Sequence, residues 1–493
     1  MKTNIRVKID KGQYRDKVYA CWLGKNIGGT MGAPYEGKKQ TFDIKGYATE
    51  AGAPLPNDDL DLQLVWLHAV EKLGINAIKA STLGEFWLSF IPPHWNEYGI
   101  GKANMKRGLI PPLSGDYNND WQHSNGAWIR TEIWACLAPA CPRMAAEFSV
   151  EDAKVDHGSG EGTYAAAFVA AMQSAAFVIS DLRKCIEIGL SVIPETCRMY
   201  DSIKFTMECY DKGIAPMETR NLIQQRNSDI GDGWFEAPSN VSYAILGLLY
   251  GEGDFKKSMI LAINCGDDTD CTGATVGATL GIMGGTAAIP KDWQAHIGDD
   301  IVTISINRGN ACRNVPATCT ELTDRVMAQA PHILFAASAP TLLTDGDVCV
   351  PEDIADVMLG ECKLSPIAGG IEPYSMSFDF AFLRAEVVLD RAPDISPEEE
   401  IKVNITCYAK VDALDRAQYD LTMRWWLPDG FSVRGKQTVC LPNTSSHRDP
   451  LGRCYLEFTL KAGETVAPVS RCVLEIVGEG RITPMYIPIV LLG

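Results

Sequence analysis

The sequence predicts two domains of different class: an all-α domain over residues 1–335 and an antiparallel β-sandwich over 348–493, joined by a linker at 336–347. Three observations predict this. A chain of 493 residues has room for two or three domains at roughly 100–200 residues each. From about residue 14 to 335, apolar residues recur at helical spacing, and some stretches are apolar on nearly every side, as buried helices are. Beyond about 335 the texture changes to short, partly alternating runs separated by turn residues.

The helical segments are 60–73, 127–138, 163–179, 240–250 and 256–264. LDLQLVWL at 60–67 and AAAFVAAMQSAAFV at 165–178 have no polar face, which suits the middle of a large helical core. Between 90 and 124 the periodicity stops. Two Pro-Pro pairs, glycines and aromatic residues make this stretch either a surface insertion or a lid or wall over a pocket. AASAPTLLTDGD at 336–347 reads as the linker. Strand-like runs follow: FLRAEVVLD, EIKVNITCYAKV, YDLTMRWWLPDG, FSVRGKQTVCL, CYLEFTLKAG, RCVLEIVGEG and MYIPIVLL. They fit an immunoglobulin-like sandwich. With no acid pair, histidine cluster or glycine-rich loop, it reads as an accessory module.

Apolar residues at 46% and charged residues at 22% are ordinary for a globular protein and exclude a disordered, collagen-like or disulfide-scaffold chain. The net charge of −17 argues against nucleic acid or an anionic membrane as partner. No stretch reaches the ~20 apolar residues of a membrane helix. The sixteen cysteines include no CxxC pair and read as buried small residues in a reducing compartment. With no apolar leader at the N-terminus, the expected location is cytoplasmic.

Two acidic turns carry the chemistry. Asn57-Asp58-Asp59-Leu60-Asp61 opens the first buried helix, with Asn57 as its N-cap. Acids suit a helix start at ~0.3–1 kcal/mol each, yet three in one turn repel one another, and a bound cation resolves that conflict. Asp267-Asp268-Thr269-Asp270-Cys271 precedes GATVGATLGIMGG, where Gly273, Gly277 and Gly281 leave one helix face bare. Glycine costs ~1 kcal/mol inside a helix, so this run needs another backbone packed against it. Two acidic helix starts together point to a two-metal site. Oxygen donors favour magnesium, manganese or calcium over zinc.

Four segments, in order, resemble the ADP-ribosylglycohydrolase family over about residues 14–330. They are GKNIGGTMGAPYEG at 24–37; Asn57-Asp58-Asp59, where the family has Thr-Asp-Asp; Ser124-Asn125-Gly126-Ala127-Trp128-Ile129-Arg130 with Val155-Asp156-His157; and Asp268-Thr269-Asp270-Cys271 before the small-residue helix. The resemblance implies an all-α catalytic domain holding two Mg²⁺ or Mn²⁺ ions. It implies metal ligands Asn57, Asp58, Asp59, Asp268, Asp270 and Cys271, catalytic roles for Glu36, Asp59 and Asp268, and substrate contacts from Asn125, Gly126 and His157. Read without the family, His157 is a lone structural histidine, and Gly24, Gly28 and Gly32 are helix packing. Asn57 and Cys271 depart from the family pattern, and sulfur is a soft donor that magnesium does not favour.

The implied activity is hydrolysis of an N- or O-glycosidic bond at the anomeric carbon of an ADP-ribosyl or related ribosyl group, on a small molecule or a protein. A small-glycoside or nucleoside-like hydrolase on the same fold, and a non-catalytic ADP-ribose or sugar-binding protein, are the alternatives. A class I terpenoid synthase fits worse, because Asp58-Asp59-Leu60-Asp61 is one residue short of DDxxD.

Overall fold

A computed structural model describes residues 5–230, 234–306, 314–410, 418–442 and 452–493. The chain forms two compact units: residues 1–102 with 119–370, and residues 103–118 with 371–493. The first unit is helical and the second is a pair of antiparallel sheets.

At the centre of the helical unit, Lys11–Gly32 packs along Thr269–Gly284. The bare face expected at Gly273, Gly277 and Gly281 meets a second one, formed by Ala20, Gly24, Gly28 and Gly32. A Cβ added at Gly28 would lie 2.1 Å from the Gly273 carbonyl carbon, and one at Gly24 would lie 2.2 Å from the Gly277 oxygen. No side chain fits between these backbones, so the helix propensity lost at the glycines is exchanged for contact at backbone distance. Helix Glu161–Ala176, apolar all round, is buried along nearly its whole length. The expected segments appear as helices Asp58–Leu73, Glu132–Leu137, Ala237–Gly251 and Phe255–Asn264.

Residues 336–347 are not a linker. Strand β1 (Val7–Asp10) pairs in parallel with β2 (Thr341–Thr344), Val7 opposite Thr341. Helix Ile354–Cys362 follows, and the helical unit ends at Gly370 rather than 335. A four-residue strand whose partner lies more than 300 positions away leaves no local periodicity to read.

The second unit contains β3 (Ser375–Asp379), β4 (Leu383–Leu389), β5 (Glu400–Ala409), β6 (Tyr419–Trp426), β7 (Ser432–Gly435), β8 (Thr438–Leu441), β9 (Arg453–Lys461), β10 (Ser470–Gly478) and β11 (Met485–Leu491). They form sheets in the orders β11-β10-β6-β8 and β3-β4-β5-β9-β7. Alternate residues face a shared core that includes Val403, Ile405, Leu421, Phe458, Leu474 and Ile487, which makes a sandwich. The run FSVRGKQTVCL, expected as one strand, is two strands in different sheets. Gly435 sits at the crossing, where a Cβ would meet the Phe458 ring at 2.3 Å. Leu109, Leu113 and Tyr117 from the 103–118 segment join this core. The Tyr117 hydroxyl donates to Asp394 Oδ1 at 2.5 Å.

Candidate functional site

Three chain segments bring acids to one place in the helical unit. In the first, Asn57 caps helix Asp58–Leu73, its Oδ1 accepting from Asp59 N–H at 2.8 Å. This fixes the first turn, with Asp58 on a cavity wall and Asp59 fully buried. The second is the chain after helix Lys11–Gly32, which turns through Ala33–Tyr35 and delivers Glu36. The third is the start of helix Thr269–Gly284, with Asp268 at its N-cap position and Asp270 in its first turn. A short bridge joins the last two: Gly37 N–H donates to Asp267 O at 2.8 Å, and Asp267 N–H to Lys38 O at 2.9 Å.

The result is two adjoining donor groups that share Asp270. Glu36, Asp268 and Asp270 offer ligand atoms within 4.8 Å of one another, and so do Asp59, Asp270 and Cys271. Asp268 makes no capping hydrogen bond with its side chain. Its Oδ2 accepts from Asn125 Nδ2 at 2.6 Å, and its Oδ1 has no hydrogen-bond partner. Asp59 Oδ2 and Asp270 Oδ1 are likewise buried without one. A buried carboxylate oxygen left unpaired is costly, and those of Asp268 and Asp270 fit a missing positive charge, whereas Asp59 Oδ2 has the Lys25 ammonium 3.8 Å away. Oxygen donors at this spacing fit a divalent cation.

The electrostatics agree. Burial and the nearby Asp270 carboxylate push Asp58 up to about 6, against the opposing pull of the Tyr98 hydroxyl, which donates to Asp58 Oδ2 at 3.1 Å. Asp270, burial and Asp58 push Glu36 up to about 8. Burial raises Asp59 and Asp268 well above the usual carboxylate range. Among the described residues, the cation paired with these acids is Lys25. It is fully buried, 3.8 Å from Asp59 Oδ2 and 3.1 Å from Glu132 Oε1. Glu132 is held in turn by Gln63 Nε2 at 2.9 Å.

Glu36, Asp58, Asp268 and Asp270 line a cavity of about 550 Å³. The ends of the 90–124 stretch, with the two residues that follow it, wall the cavity: Trp95, Glu97 and Tyr98 on one segment and Ser124, Asn125 and Gly126 on the other; Phe235 also lines it. The stretch is therefore a wall at both ends, while its middle belongs to the sandwich unit.

The expected site residues fall into three classes. Glu36, Asp58, Asp59, Asp268, Asp270 and Cys271 come together, and Asn125 and Gly126 line the cavity beside them. Asn57 adjoins the cluster, but its oxygen faces the backbone of its own helix and its Nδ2 lies where a Cβ on Gly29 would be. His157 does not line the cavity. It is fully buried, with Nδ1 2.9 Å from Asp156 Oδ1 and Nε2 3.1 Å from Ser124 Oγ. Asp156 also accepts from Arg130 at 2.8 Å. Burial pushes Asp156 upward, but Arg130 and His157 outweigh it and hold the carboxyl at about 2. Arg130 donates onward to the Gly126 carbonyl, so His157 braces the wall from behind. Asp61 and Asp267 turn away: Asp61 accepts from the backbone of Ile304 and Ser305, at 2.5 and 2.7 Å, and Asp267 from Asn240 at 3.1 Å.

Sequence reasoning missed Lys25, Glu97 and Tyr98. Lys25 had a visible signal: a lysine inside the small and apolar run ACWLGKNIGG must be buried with a partner. Glu97 and Tyr98 had none beyond membership of the 90–124 stretch.

Among the described residues, no helix is long and apolar enough to cross a membrane. No curated protein matches the chain. It is similar to a solved ADP-ribosylglycohydrolase-related protein complex at 20% identity and a TM-score of 0.41, covering 66% of this chain and 99% of that one. Shorter similarities are to a FixG-related protein from Vibrio parahaemolyticus (13% identity, TM-score 0.18, 22% of this chain and 94% of that one) and to the GAE domain of GGA2p from Saccharomyces cerevisiae (11%, 0.16, 24% and 96%). The sequence model of the ADP-ribosylglycohydrolase family matches residues 10–329, more than half of the chain and the span that contains every acid that lines the cavity. The chain belongs to the ADP-ribosylglycohydrolase family, with a β-sandwich added after the helical domain.

Proposed function

We propose that this protein is a metal-dependent hydrolase that cleaves the N- or O-glycosidic bond at the anomeric carbon of an ADP-ribosyl or related ribosyl group. Two divalent cations, magnesium or manganese, are its cofactors in this reading, and its setting is cytoplasmic. One observation carries it: unpartnered carboxylate oxygens of Asp268 and Asp270 lie in adjoining acidic donor groups at the wall of a cavity large enough for a nucleotide-sized ligand.

In this reading the ligands are Asp59, Asp268 and Asp270, with Glu36 and Cys271 completing the two donor groups, and Asp58 on the cavity wall beside them. When bound, the cations supply a hold on the ribose hydroxyls and on a water beside the anomeric carbon. The chain's own residues do the rest. Asn125 fixes the Asp268 carboxylate through its 2.6 Å hydrogen bond. The carboxylates face the positive charge that builds on the ribose ring in an oxocarbenium-like transition state. Glu36, the exposed member of its group, takes the proton of the attacking water at its carboxylate. Trp95, Tyr98 and Phe235 offer aromatic faces to a base or sugar ring and exclude water around it.

The test is a hydrolysis screen in magnesium and in manganese. It covers ADP-ribosylated proteins, ADP-ribose derivatives and simple ribosides, with products read by mass spectrometry. Release of ADP-ribose or ribose that stops in chelator and returns with metal is expected. Metal-independent release, or none from any ribosyl compound, removes this reading.

A further inference from the structure

The two donor groups differ in chemistry. Glu36, Asp268 and Asp270 present oxygen alone. Asp59, Asp270 and Cys271 present two carboxylates and a sulfur. The sulfur is in the site: Cys271 lines the cavity, and its Sγ–H donates to Asp59 Oδ1 at 3.3 Å. Asp59 Oδ2 and Asp270 Oδ1, in the same group, are buried without a hydrogen-bond partner. The thiol therefore sits among buried carboxylate oxygens, not in an apolar packing layer.

The surroundings of the second group also differ. Lys25 lies 3.8 Å from Asp59 Oδ2, with no exposure to solvent. This ammonium is also paired with Glu132 at 3.1 Å, so the donor atoms, and not an uncompensated charge, distinguish the group. A hydroxyl at position 271 would offer a hard oxygen, whereas the thiol offers a soft sulfur. Soft sulfur favours zinc-like ions over magnesium, and two carboxylates with one thiolate leave a fourth tetrahedral position open for a water or a substrate oxygen.

From these observations we infer that the two cation positions are selective for different metals. The Glu36–Asp268–Asp270 position takes a hard ion such as magnesium, and the Asp59–Asp270–Cys271 position takes a thiophilic divalent ion through the Cys271 sulfur. Binding at the second position forms a metal–sulfur bond and releases the thiol proton to solvent. The inference rests on the two-cation reading of the site and deepens it. It makes a mixed-metal protein the native form.

The experiment uses the full chain with Cys349 and Cys440, the exposed cysteines among the described residues, and Cys312 replaced by serine so that they bind no probe ion. Metal-free protein is saturated with magnesium and titrated with Cd²⁺ and Co²⁺. Stoichiometry is followed by equilibrium dialysis, and the sulfur-to-metal charge-transfer band by absorption. One equivalent of Cd²⁺ is expected, with the band. Cys271→Thr should abolish the band and weaken Cd²⁺ binding about tenfold or more, while magnesium binding tightens or is unchanged. Cys271→Ala serves as the second variant, and circular dichroism with a thermal melt reports whether each is folded. A band that persists in both variants overturns the inference, because another thiol then holds the ion. So does binding of two magnesium ions with no additional Cd²⁺ uptake, an outcome that leaves the two-cation reading standing. Binding of no divalent ion at all sinks both.

Discussion

Asp268 separates the two explanations of an acid at a helix start. It occupies the N-cap position yet makes no capping hydrogen bond, and its Oδ1 is buried unpartnered. Asp268→Asn keeps the shape, and its amide oxygen can still accept from Asn125. In a chelating buffer the variant should be at least as stable as the parent, because one of several crowded charges is gone. With magnesium the order should reverse, because the parent gains binding energy that the variant has lost. Thermal melts in the two buffers check this; curves that do not cross would return Asp268 to a helix-capping role. The same crowding sets a pH dependence. Glu36 and Asp58 have folded-state values of about 8 and about 6, above their ordinary ones. A carboxylate with a raised value favours folding while protonated, so its stabilisation is complete below the unfolded value near 4 and is lost as pH rises through the folded one. In chelator the thermal midpoint should therefore fall between about pH 5 and pH 8, and saturating magnesium should flatten that fall. A midpoint in chelator that rises over this range would contradict the crowding.

At the scale of elements, the site depends on two helices meeting at backbone distance. Helix Lys11–Gly32 carries the chain to Glu36, and helix Thr269–Gly284 begins at Asp268 and Asp270. Their separation sets the spacing between the donor atoms. Gly28→Ala places a methyl group 2.1 Å from backbone, which no side-chain rotation relieves. It should cost at least the 1–3 kcal/mol or so typical of overpacking. It should also weaken cation binding, although residue 28 touches no donor. A variant with parental stability and parental metal affinity would show that the helices can separate freely. The Arg130–Asp156–His157 network works at the same scale, fixing the Gly126 wall without entering the cavity.

At the scale of the molecule, the unit boundaries govern truncation. A fragment 1–340 loses β2, the partner of β1, along with helix Ile354–Cys362. It should aggregate or melt well below the intact chain. A fragment 1–370 keeps those elements but carries Leu109, Leu113 and Tyr117 without the sandwich core they belong to. Replacing 103–118 with a flexible linker of equal length in the 1–370 fragment should restore a soluble, cooperatively melting helical unit. Soluble 1–340 with a parental midpoint would place the boundary where the sequence pattern alone puts it.

What the sequence determined by itself was whatever is written in local pattern. Helix and strand texture follows from the spacing of apolar residues, and this separated the helical part from the sandwich. The Asn57 cap followed from the preference of its side chain for the first backbone N–H groups. The paired acidic turns announced a charge conflict, and the bare glycine face announced a close neighbour. The identity of that neighbour, helix Lys11–Gly32 with a matching bare face, is a long-range pairing that no window contains. For the same reason only the tertiary structure could join β1 to β2, send 103–118 into the sandwich core and split 432–441 between two sheets. It also sorted the acids. Asp58, Asp59, Asp268 and Asp270 face one another, whereas Asp61 and Asp267, adjacent in the same motifs, are drawn away by backbone and amide donors from other segments. Sequence neighbours share a turn but point in different directions around it. Which of them meet across the cavity depends on the angle and distance between helices, and packing sets both.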